Sequence, residues 1–216
     1  MDFQDTIRHQ GLRKRLVDGI RIKGIKDEKV LEAIGKVPRH LFMDGSFLLY
    51  AYKDQAFPIG AGQTISQPFT VAVQTYLLQV ERFDKILEVG TGSGYQAAVL
   101  LEMGATVYTI ERQRELYIKA QANLPKIGYN PKFFYGDGYK GLPTYGPFDK
   151  IIVTAGAPEI PMELIAQLKV GGRMVIPMGP RDKQTMYVVV KTSETEYYKE
   201  SHGNFVFVPM LKGIDK

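Results

Sequence analysis

The sequence contains no cysteine among its 216 residues and only three histidines. The absence of cysteine excludes thiol catalysis, disulfide bonds and cysteine-ligated zinc. His9, His40 and His202 are far apart in the sequence and form none of the short spacings that are typical of metal ligands. We therefore expect no metal site, and a chain of this length can bury enough apolar surface to fold without one.

Long apolar runs are also missing. No stretch approaches the ~18 consecutive apolar residues of a membrane-spanning helix, and the segment MDFQDTIRHQ lacks the apolar region of an export signal. We therefore expect neither membrane association nor export, which predicts a cytoplasmic protein.

The excess of positive charge is modest. The net charge is +5, and residues 1–36 contain nine Lys or Arg and six Asp or Glu in an intermixed pattern. Such a pattern is typical of a solvated helical surface. The sequence has neither the aromatic motif of an RNA-binding domain nor zinc-finger spacing. We expect a monomer with no nucleic-acid partner.

The spacing of apolar residues changes near residue 80. Before this point Leu16 and Ile20 recur at a helical interval, and Asp27 can cap a second helix. Beyond it, short apolar runs alternate with amphipathic segments, which is typical of a parallel sheet with helices on its faces. We predict a helical cap over residues 1–80 and an α/β region over residues 81–216, which together form one compact domain.

Five apolar runs indicate successive strands, and three segments between them indicate helices. The predicted strands are KILEVG, ATVYTIE, KFFYGD, KIIVTAG and GRMVIPMG. The predicted helices are GYQAAVLLEMG, RELYIKAQANL and PMELIAQLK. Two further strands, QTMYVVVKTS and FVFVPML, have no helix between them, which indicates an antiparallel edge. The predicted fold is a doubly wound, Rossmann-like α/β fold with a mostly parallel sheet.

A glycine-rich turn, LEVGTGSGYQ, follows the first of these strands and opens a helix. Ligands of open α/β sheets bind at such turns, where Gly90, Gly92 and Gly94 would let the backbone approach closely. Tyr95 stands where a dinucleotide-binding motif requires its third glycine, and no phosphate-binding P-loop motif is present. Glu88 would repel a pyrophosphate and attract a cation. These features favour S-adenosylmethionine, a cation without phosphate whose carboxylate could face the helix N-terminus.

Two acidic residues end the next two predicted strands. Glu111 lies 21 positions after Gly90, about the spacing at which an acidic residue reaches the ribose hydroxyls in this architecture. It could instead be a surface residue that pairs with Arg112 or Arg114. Asp137 could accept a hydrogen bond from an adenine amino group or form an Asp-Gly turn.

The stretch GQTISQP has two possible roles. Ser66 is a suitable N-cap for a helix that begins near Pro68. The same hydroxyl could also contact a substrate at the N-terminus of that helix.

Together these motifs resemble the protein-L-isoaspartate (D-aspartate) O-methyltransferase family. The likeness runs from VPRHLF to FVPML and rests on FPIGAGQTISQP, LEVGTGSGYQAAVL, GDGYKGLP, PFDKIIVTAGAP and QLKVGGRMVIPMG. The glycine-rich loop is shared by many methyltransferases, whereas GQTISQP is specific to this family. The resemblance implies a class I methyltransferase fold. It also implies methyl transfer from S-adenosylmethionine to the free α-carboxylate of L-isoaspartyl and D-aspartyl residues in damaged proteins and peptides. The products would be S-adenosylhomocysteine and an ester that is repaired through a succinimide.

The resemblance also implies roles for individual residues. Ser66 would act in catalysis and substrate binding, in a wall that GQTISQP forms over the donor. The implied donor-binding residues are Gln63, Thr64, Ile65, Glu88, Gly90, Thr91, Gly92, Ser93, Gly94, Glu111, Asp137 and Gly138. FVFVPML resembles a segment that lies along a substrate peptide, which implies substrate contacts by Phe207, Val208 and Pro209. Val206 and Met210 depart from the usual Arg-Phe-Val-Pro-Leu, so details of peptide binding should differ.

The expected reaction needs no general base. An α-carboxylate has an unperturbed pKa of about 3.3 to 3.7 and is already ionised at neutral pH. The site must align this carboxylate with the methyl group and exclude water. His40, in PRHLF, is the nearest candidate for a base and is otherwise a helix-end residue.

Two alternatives share the donor motifs. A methyltransferase that acts on a small molecule or RNA would have the same glycine-rich loop, Glu111 and Asp137. A binding module would hold the donor without turnover. GQTISQP and FVPML favour the isoaspartyl enzyme over the first, and a methyl-transfer assay separates it from the second.

Overall fold

The computed structural model describes residues 4–43 and 45–215. In chain order its helices are α1 (Ile7–Ile22), α2 (Glu28–Lys36), α3 (Pro68–Leu78), α4 (Tyr95–Glu102), α5 (Arg114–Asn123) and α6 (Met162–Ala166). Its strands are β1 (Phe57–Gly60), β2 (Gln63–Ile65), β3 (Lys85–Val89), β4 (Thr106–Glu111), β5 (Lys132–Tyr135), β6 (Phe148–Val153), β7 (Leu168–Met178), β8 (Gln184–Lys191) and β9 (Tyr197–Phe205). Short 3₁₀ turns connect several of these elements.

A seven-stranded sheet forms the centre, in the order β5-β4-β3-β6-β7-β8-β9. The pairs from β5 to β7 are parallel, and β8 and β9 add two antiparallel pairings at one edge. The strand order reverses at β3, since the chain adds β4 and β5 on one side and β6 on the other. This confirms the predicted doubly wound, mostly parallel sheet with an antiparallel edge.

Both faces of the sheet are covered. Ile86 of β3 packs in the cluster that contains Leu78 of α3 and Leu100 of α4. Leu87, the next residue, belongs to the opposite cluster with Leu164 of α6. This alternation follows from the two-residue period of a strand, and the carboxyl ends of the parallel strands are left to form a site.

The N-terminal helices pack on α3 and α4. The Asp27 side chain accepts hydrogen bonds from the amides of Lys29 and Val30, which confirms its predicted role as an N-cap. The buried side chains Leu16 and Ile20 face this layer. Within the described residues, no helix has the length and apolar character that crossing a bilayer requires.

The last predicted strand is wrong in position. FVFVPML begins at Phe205, the last residue of β9, and its remaining residues make a single isolated bridge, between Pro209 and Gly156. The edge strand is the preceding segment, YYKESHGNF, whose side chains are mostly exposed. A polar edge strand lacks the apolar alternation on which the prediction relied.

Ser66 is not the N-cap of α3, so this prediction is also wrong. Gln67 occupies the N-cap position and makes no side-chain capping bond. The amide of Phe69 instead donates to Oδ1 of Asp54, 2.8 Å away. A side chain distant in sequence thus satisfies the helix terminus, and the Ser66 hydroxyl is not used for capping.

Candidate active site

A cavity of about 850 Å³, partly open to solvent, lies at the carboxyl ends of β3 and β4. Most of the predicted donor-site and substrate-site residues line it together: Gln63, Thr64, Ile65, Ser66, Gly90, Thr91, Gly92, Ser93, Glu111, Gly138, Val208 and Pro209. Its position at the switch point of the sheet is where ligands of open α/β folds bind.

In the glycine-rich loop, the backbone at Gly90 lies very close to the side chain of Thr154. Gly90 has φ +99°, and a Cβ there would lie 2.4 Å from Oγ1 of Thr154. The Thr154 hydroxyl donates a hydrogen bond to the Gly90 carbonyl oxygen, 2.7 Å away. Only glycine fits this position, and the resulting turn leaves backbone rather than side chain facing the cavity.

Glu111 joins the loop to the end of β4. Its Oε2 accepts the amide of Gly92 and its Oε1 accepts the amide of Gln113, both at 2.8 Å. The residue is 5% exposed and lines the cavity, whereas Arg112 donates its Nε to the Gly213 carbonyl. Each carboxylate oxygen has a second lone pair, so two further acceptor positions remain.

Glu88 is not part of the cavity lining, and its role as a donor-binding residue stays a prediction. It is fully buried, and its Oε2 accepts a 2.5 Å hydrogen bond from the Thr109 hydroxyl. Burial raises the pKa of Glu88 to about 8, and the nearby Glu111 carboxylate adds to this effect. A neutral carboxyl at this position would attract the donor cation less strongly than the expected carboxylate.

Gly94 also lies outside the cavity lining. It is the N-cap residue of α4 with φ +83°, and a Cβ there would lie 2.6 Å from both methyl groups of Leu124. The packing of α4 against Leu124 therefore explains the third glycine of the motif, and a contact between Gly94 and the donor stays a prediction.

Asp137 adopts the turn alternative. Its Oδ1 accepts the Tyr139 amide at 3.0 Å, and its Oδ2 accepts the Gly213 amide at 2.8 Å. The adjacent Gly138 lines the cavity, whereas Asp137 does not. Asp137 thus links the turn after β5 to the C-terminal segment. The hydrogen bond from Tyr135 to the carbonyl of Asp215 strengthens the same link. Because each of the Asp137 carboxylate oxygens keeps a second lone pair, the contact between Asp137 and adenine stays a prediction.

The stretch FPIGAGQTISQP forms a hairpin that was not predicted. β1 and β2 pair antiparallel, with Gly60 opposite Gln63. The two turn residues, Ala61 and Gly62, have φ +49° and +65°, as in the tight turns that suit hairpins. The hairpin places Thr64, Ile65 and Ser66 in the cavity wall.

A larger groove adjoins the cavity. It has about 1550 Å³ of space, much of it open, and contains Phe207 as well as residues of the hairpin and of α3. The C-terminal segment forms one side and is tied down at Gly156, whose amide donates to the Val208 carbonyl and whose carbonyl accepts the Met210 amide, both at 2.8 Å. Five residues line both spaces: Thr64, Ser66, Thr154, Val208 and Pro209.

Two of the three histidines, His9 and His40, lie close together although they are 31 positions apart in the sequence. The rings of His9 and His40 stack with centroids 3.8 Å apart, and Asp5 offers a third potential ligand atom within 4.8 Å. Asp5 is engaged by Arg13 through both oxygens, and the nitrogens of His40 contact Tyr52 and the Gln4 carbonyl. These contacts give the group a structural role. Burial lowers the pKa of His40, which lies outside the lining of the cavity.

Several lining residues were missed by the sequence analysis, notably Gln96, Arg112 and Thr154. Thr154 could have been found, since it directly follows β6 and the carboxyl ends of parallel strands form the ligand site. Gln96 is the last residue of LEVGTGSGYQ and Arg112 directly follows Glu111, and neither has a separate signal of its own.

Comparison with known proteins agrees with this geometry. The family model described as protein-L-isoaspartate(D-aspartate) O-methyltransferase matches residues 11–215. A protein-L-isoaspartate O-methyltransferase of Christiangramia forsetii is 61% identical over 97% of this chain and 99% of its own length. One of Dictyoglomus thermophilum is 47% identical over 99% of this chain and 97% of its own length.

Solved structures show the same fold. A protein-L-isoaspartate O-methyltransferase structure superposes with a TM-score of 0.82 at 29% identity, covering 91% of this chain and 65% of that chain. A Plasmodium falciparum structure described under the same activity, in complex with S-adenosyl-L-homocysteine, has a TM-score of 0.81 at 24% identity, covering 93% and 98%. The family model spans nearly all of the described residues, and the curated relatives align over nearly their full lengths. This chain therefore belongs to the protein-L-isoaspartate(D-aspartate) O-methyltransferase family.

Proposed function

We propose that the chain transfers a methyl group from S-adenosylmethionine to the free α-carboxylate of L-isoaspartyl and D-aspartyl residues in damaged proteins and peptides. The observation that carries this proposal is that the cavity and the groove adjoin each other. A partly open cavity suited to the donor adjoins a groove large enough for a peptide, and five residues line both. Methyl transfer requires donor and acceptor to meet in this way.

The cavity residues suit the donor. The glycine-rich loop from Gly90 to Ser93 offers backbone at close range, and the N-terminus of α4 favours the donor's carboxylate. The two remaining acceptor positions of Glu111 suit the ribose hydroxyls. The rest of the donor would be surrounded by other lining residues of the cavity: Gln63, Thr64, Ile65 and Gly138. When bound, S-adenosylmethionine would supply the methyl group from a positively charged sulfonium, with neutral S-adenosylhomocysteine as the leaving group.

The acceptor side requires orientation rather than proton removal. The substrate carboxylate is ionised at neutral pH and is itself the nucleophile. The Ser66 hydroxyl, which is not used for capping, can donate a hydrogen bond that orients this carboxylate. A neutral donor suits this role, because an acidic side chain would repel the substrate. Phe207, Val208 and Pro209 form the groove wall along which the peptide would lie.

We further propose a monomeric, cytoplasmic enzyme with no nucleic-acid partner. Residues 1–80 would provide the helical cap and the substrate wall, and residues 81–216 would provide most of the donor site and the C-terminal substrate segment. The hairpin and α3 support the first assignment, since both contribute residues to the groove.

A methyl-transfer assay with matched peptides tests the proposed function. An isoaspartyl peptide and its aspartyl isomer carry the same charge but present the free carboxylate on different backbone geometry. We expect methylation of the isoaspartyl peptide and a much lower rate with the aspartyl isomer. Equal rates with both isomers would exclude the isoaspartyl assignment, and donor binding without turnover would favour the binding module.

The same assay tests whether a base is needed. We expect the single-turnover rate to be nearly flat from about pH 6 to 8, because the nucleophile titrates well below this range. A steep fall below pH 7 that disappears in His40→Gln would show that His40 acts as a base.

A further inference from the structure

The substrate groove has one charged residue among the described residues that line it, Arg181. The other lining residues are neutral: Ala56, Gly62, Thr64, Ser66, Gln67, Phe69, Thr70, Thr154, Asn204, Phe205, Val206, Phe207, Val208 and Pro209. A peptide in the groove therefore meets a single fixed cation on an otherwise uncharged wall.

Arg181 is available to a ligand. It lies in the turn between β7 and β8 and is exposed. Within residues 4–43 and 45–215 it has no hydrogen-bond or ion-pair partner. Its neighbours Asp182 and Lys183 are also exposed but lie outside the groove lining, so they do not neutralise it from the peptide's side.

We infer that Arg181 is a specificity-determining residue that selects isoaspartyl peptides carrying a second carboxylate, an Asp or Glu side chain, near the isoaspartyl residue. This inference rests on the proposed function and adds the substrate class that the groove prefers. The guanidinium presents a planar fork of donors that matches a carboxylate, and the neutral wall leaves no competing anion in the groove.

Arg181 could instead bind the reacting α-carboxylate. A guanidinium paired with the nucleophile would withdraw charge from the attacking oxygen, which would slow the transfer. It would also affect every isoaspartyl peptide equally, whereas selection of a flanking carboxylate affects only acidic peptides. The two cases therefore differ in which peptides respond when Arg181 is changed.

The test uses matched isoaspartyl peptides that differ by Glu or Gln at one position at a time, two positions on each side of the isoaspartyl residue. We expect the wild-type protein to show a KM about two- to fivefold lower for the Glu peptide at the preferred position, the size of an exposed ion pair. Arg181→Gln should abolish this ratio and Arg181→Glu should invert it. High salt should reduce the ratio in the wild type.

Lys183→Gln is the matched control, since it removes a cation from the same turn outside the groove. It should retain the wild-type ratio. Equal KM values for every Glu and Gln pair in the wild type would overturn the inference, as would a ratio that persists in Arg181→Gln. A KM that rises equally for both peptides in Arg181→Gln would overturn it in favour of binding to the reacting carboxylate. Absence of methylation of any isoaspartyl peptide would instead refute the proposed function.

Discussion

At the scale of single residues, Glu88 and Glu111 show how position decides the chemistry of a carboxyl group. Both end parallel strands near the glycine-rich loop. Glu111 lines the cavity and accepts two backbone amides, whereas Glu88 lies behind the loop in full burial. The sequence places both residues near the site, but it does not show which side chain enters it, because that depends on the pleat of the strand and on the course of the loop.

Glu111→Ala should weaken donor binding. Loss of hydrogen bonds to a charged acceptor should cost roughly 1.5 to 3 kcal/mol, which is about one to two orders of magnitude in Kd. Calorimetric titration with S-adenosylhomocysteine measures this change. The exposed Glu163→Ala serves as a control for the loss of a carboxylate. Unchanged affinity in Glu111→Ala would show that Glu111 supports only the amides of Gly92 and Gln113.

Ser66→Ala should separate catalysis from folding. Because Ser66 does not cap α3, we expect the free energy of unfolding to change by less than about 0.5 kcal/mol, while turnover falls and donor affinity is retained. Asp54→Ala provides the complementary variant. It removes the acceptor of the Phe69 amide and should destabilise the fold by about 0.5 to 2 kcal/mol.

Thermal unfolding and single-turnover kinetics check both variants. Wild-type turnover in a folded Ser66→Ala protein would remove Ser66 from the mechanism. A stability loss in Ser66→Ala equal to that in Asp54→Ala would contradict the observed capping arrangement.

At the scale of secondary structure, the apolar strands were predictable and the polar ones were not. β3 to β8 overlap the predicted apolar runs, because their side chains are buried or, in β5, half-buried in the sheet. β7 begins at Leu168, four residues before the predicted run. β9 is a polar edge strand, and the hairpin of β1 and β2 is short, so neither produces a clear periodic signal. The start of α3 near Pro68 was predicted, but its capping group could not be, because Asp54 lies 15 residues before Phe69.

The start of α4 offers a direct test of why the loop has a third glycine. Gly94→Ala places a Cβ both at φ +83° and against Leu124. Gly128→Ala is a matched control, with φ +88° and no atom within 4 Å of the added carbon. We expect Gly128→Ala to cost about 1 to 2 kcal/mol from backbone strain alone.

Gly94→Ala should cost at least about 1 kcal/mol more than Gly128→Ala, because a clash with a packed side chain adds to the strain. Chemical denaturation of both variants measures the difference. Equal losses of stability would mean that Leu124 moves aside freely and that φ alone requires glycine at position 94.

At the scale of the whole molecule, the site depends on segments that are distant in sequence. The wall between the cavity and the groove combines Ser66 of the hairpin region, Thr154 after β6 and Pro209 of the C-terminal segment. The sequence identifies each of these segments by motif. It does not show that the segments meet, because their meeting depends on the strand order and on the isolated bridge between Gly156 and Pro209.

The pH dependence of folding should report the buried Glu88. Burial raises its pKa to about 8 in the folded protein, from an ordinary value of 4.5. A group whose pKa is raised by folding contributes stability that is fully present below about 4.5 and is lost as pH rises to about 8. Glu88→Gln keeps an acceptor for the Thr109 hydroxyl and cannot ionise.

We therefore expect the free energy of unfolding of Glu88→Gln, relative to wild type, to increase between about pH 4.5 and 8. The increase should be at least about 1 kcal/mol, the equivalent of less than one pKa unit. Urea denaturation at four pH values across this range measures the difference, with Glu163→Gln as the control for an exposed carboxyl. The relative stability should be constant below this range, where the wild-type side chain is neutral in both states. A difference that does not vary with pH would show that Glu88 is ionised in the folded protein, and would restore its negative charge beside the donor cavity.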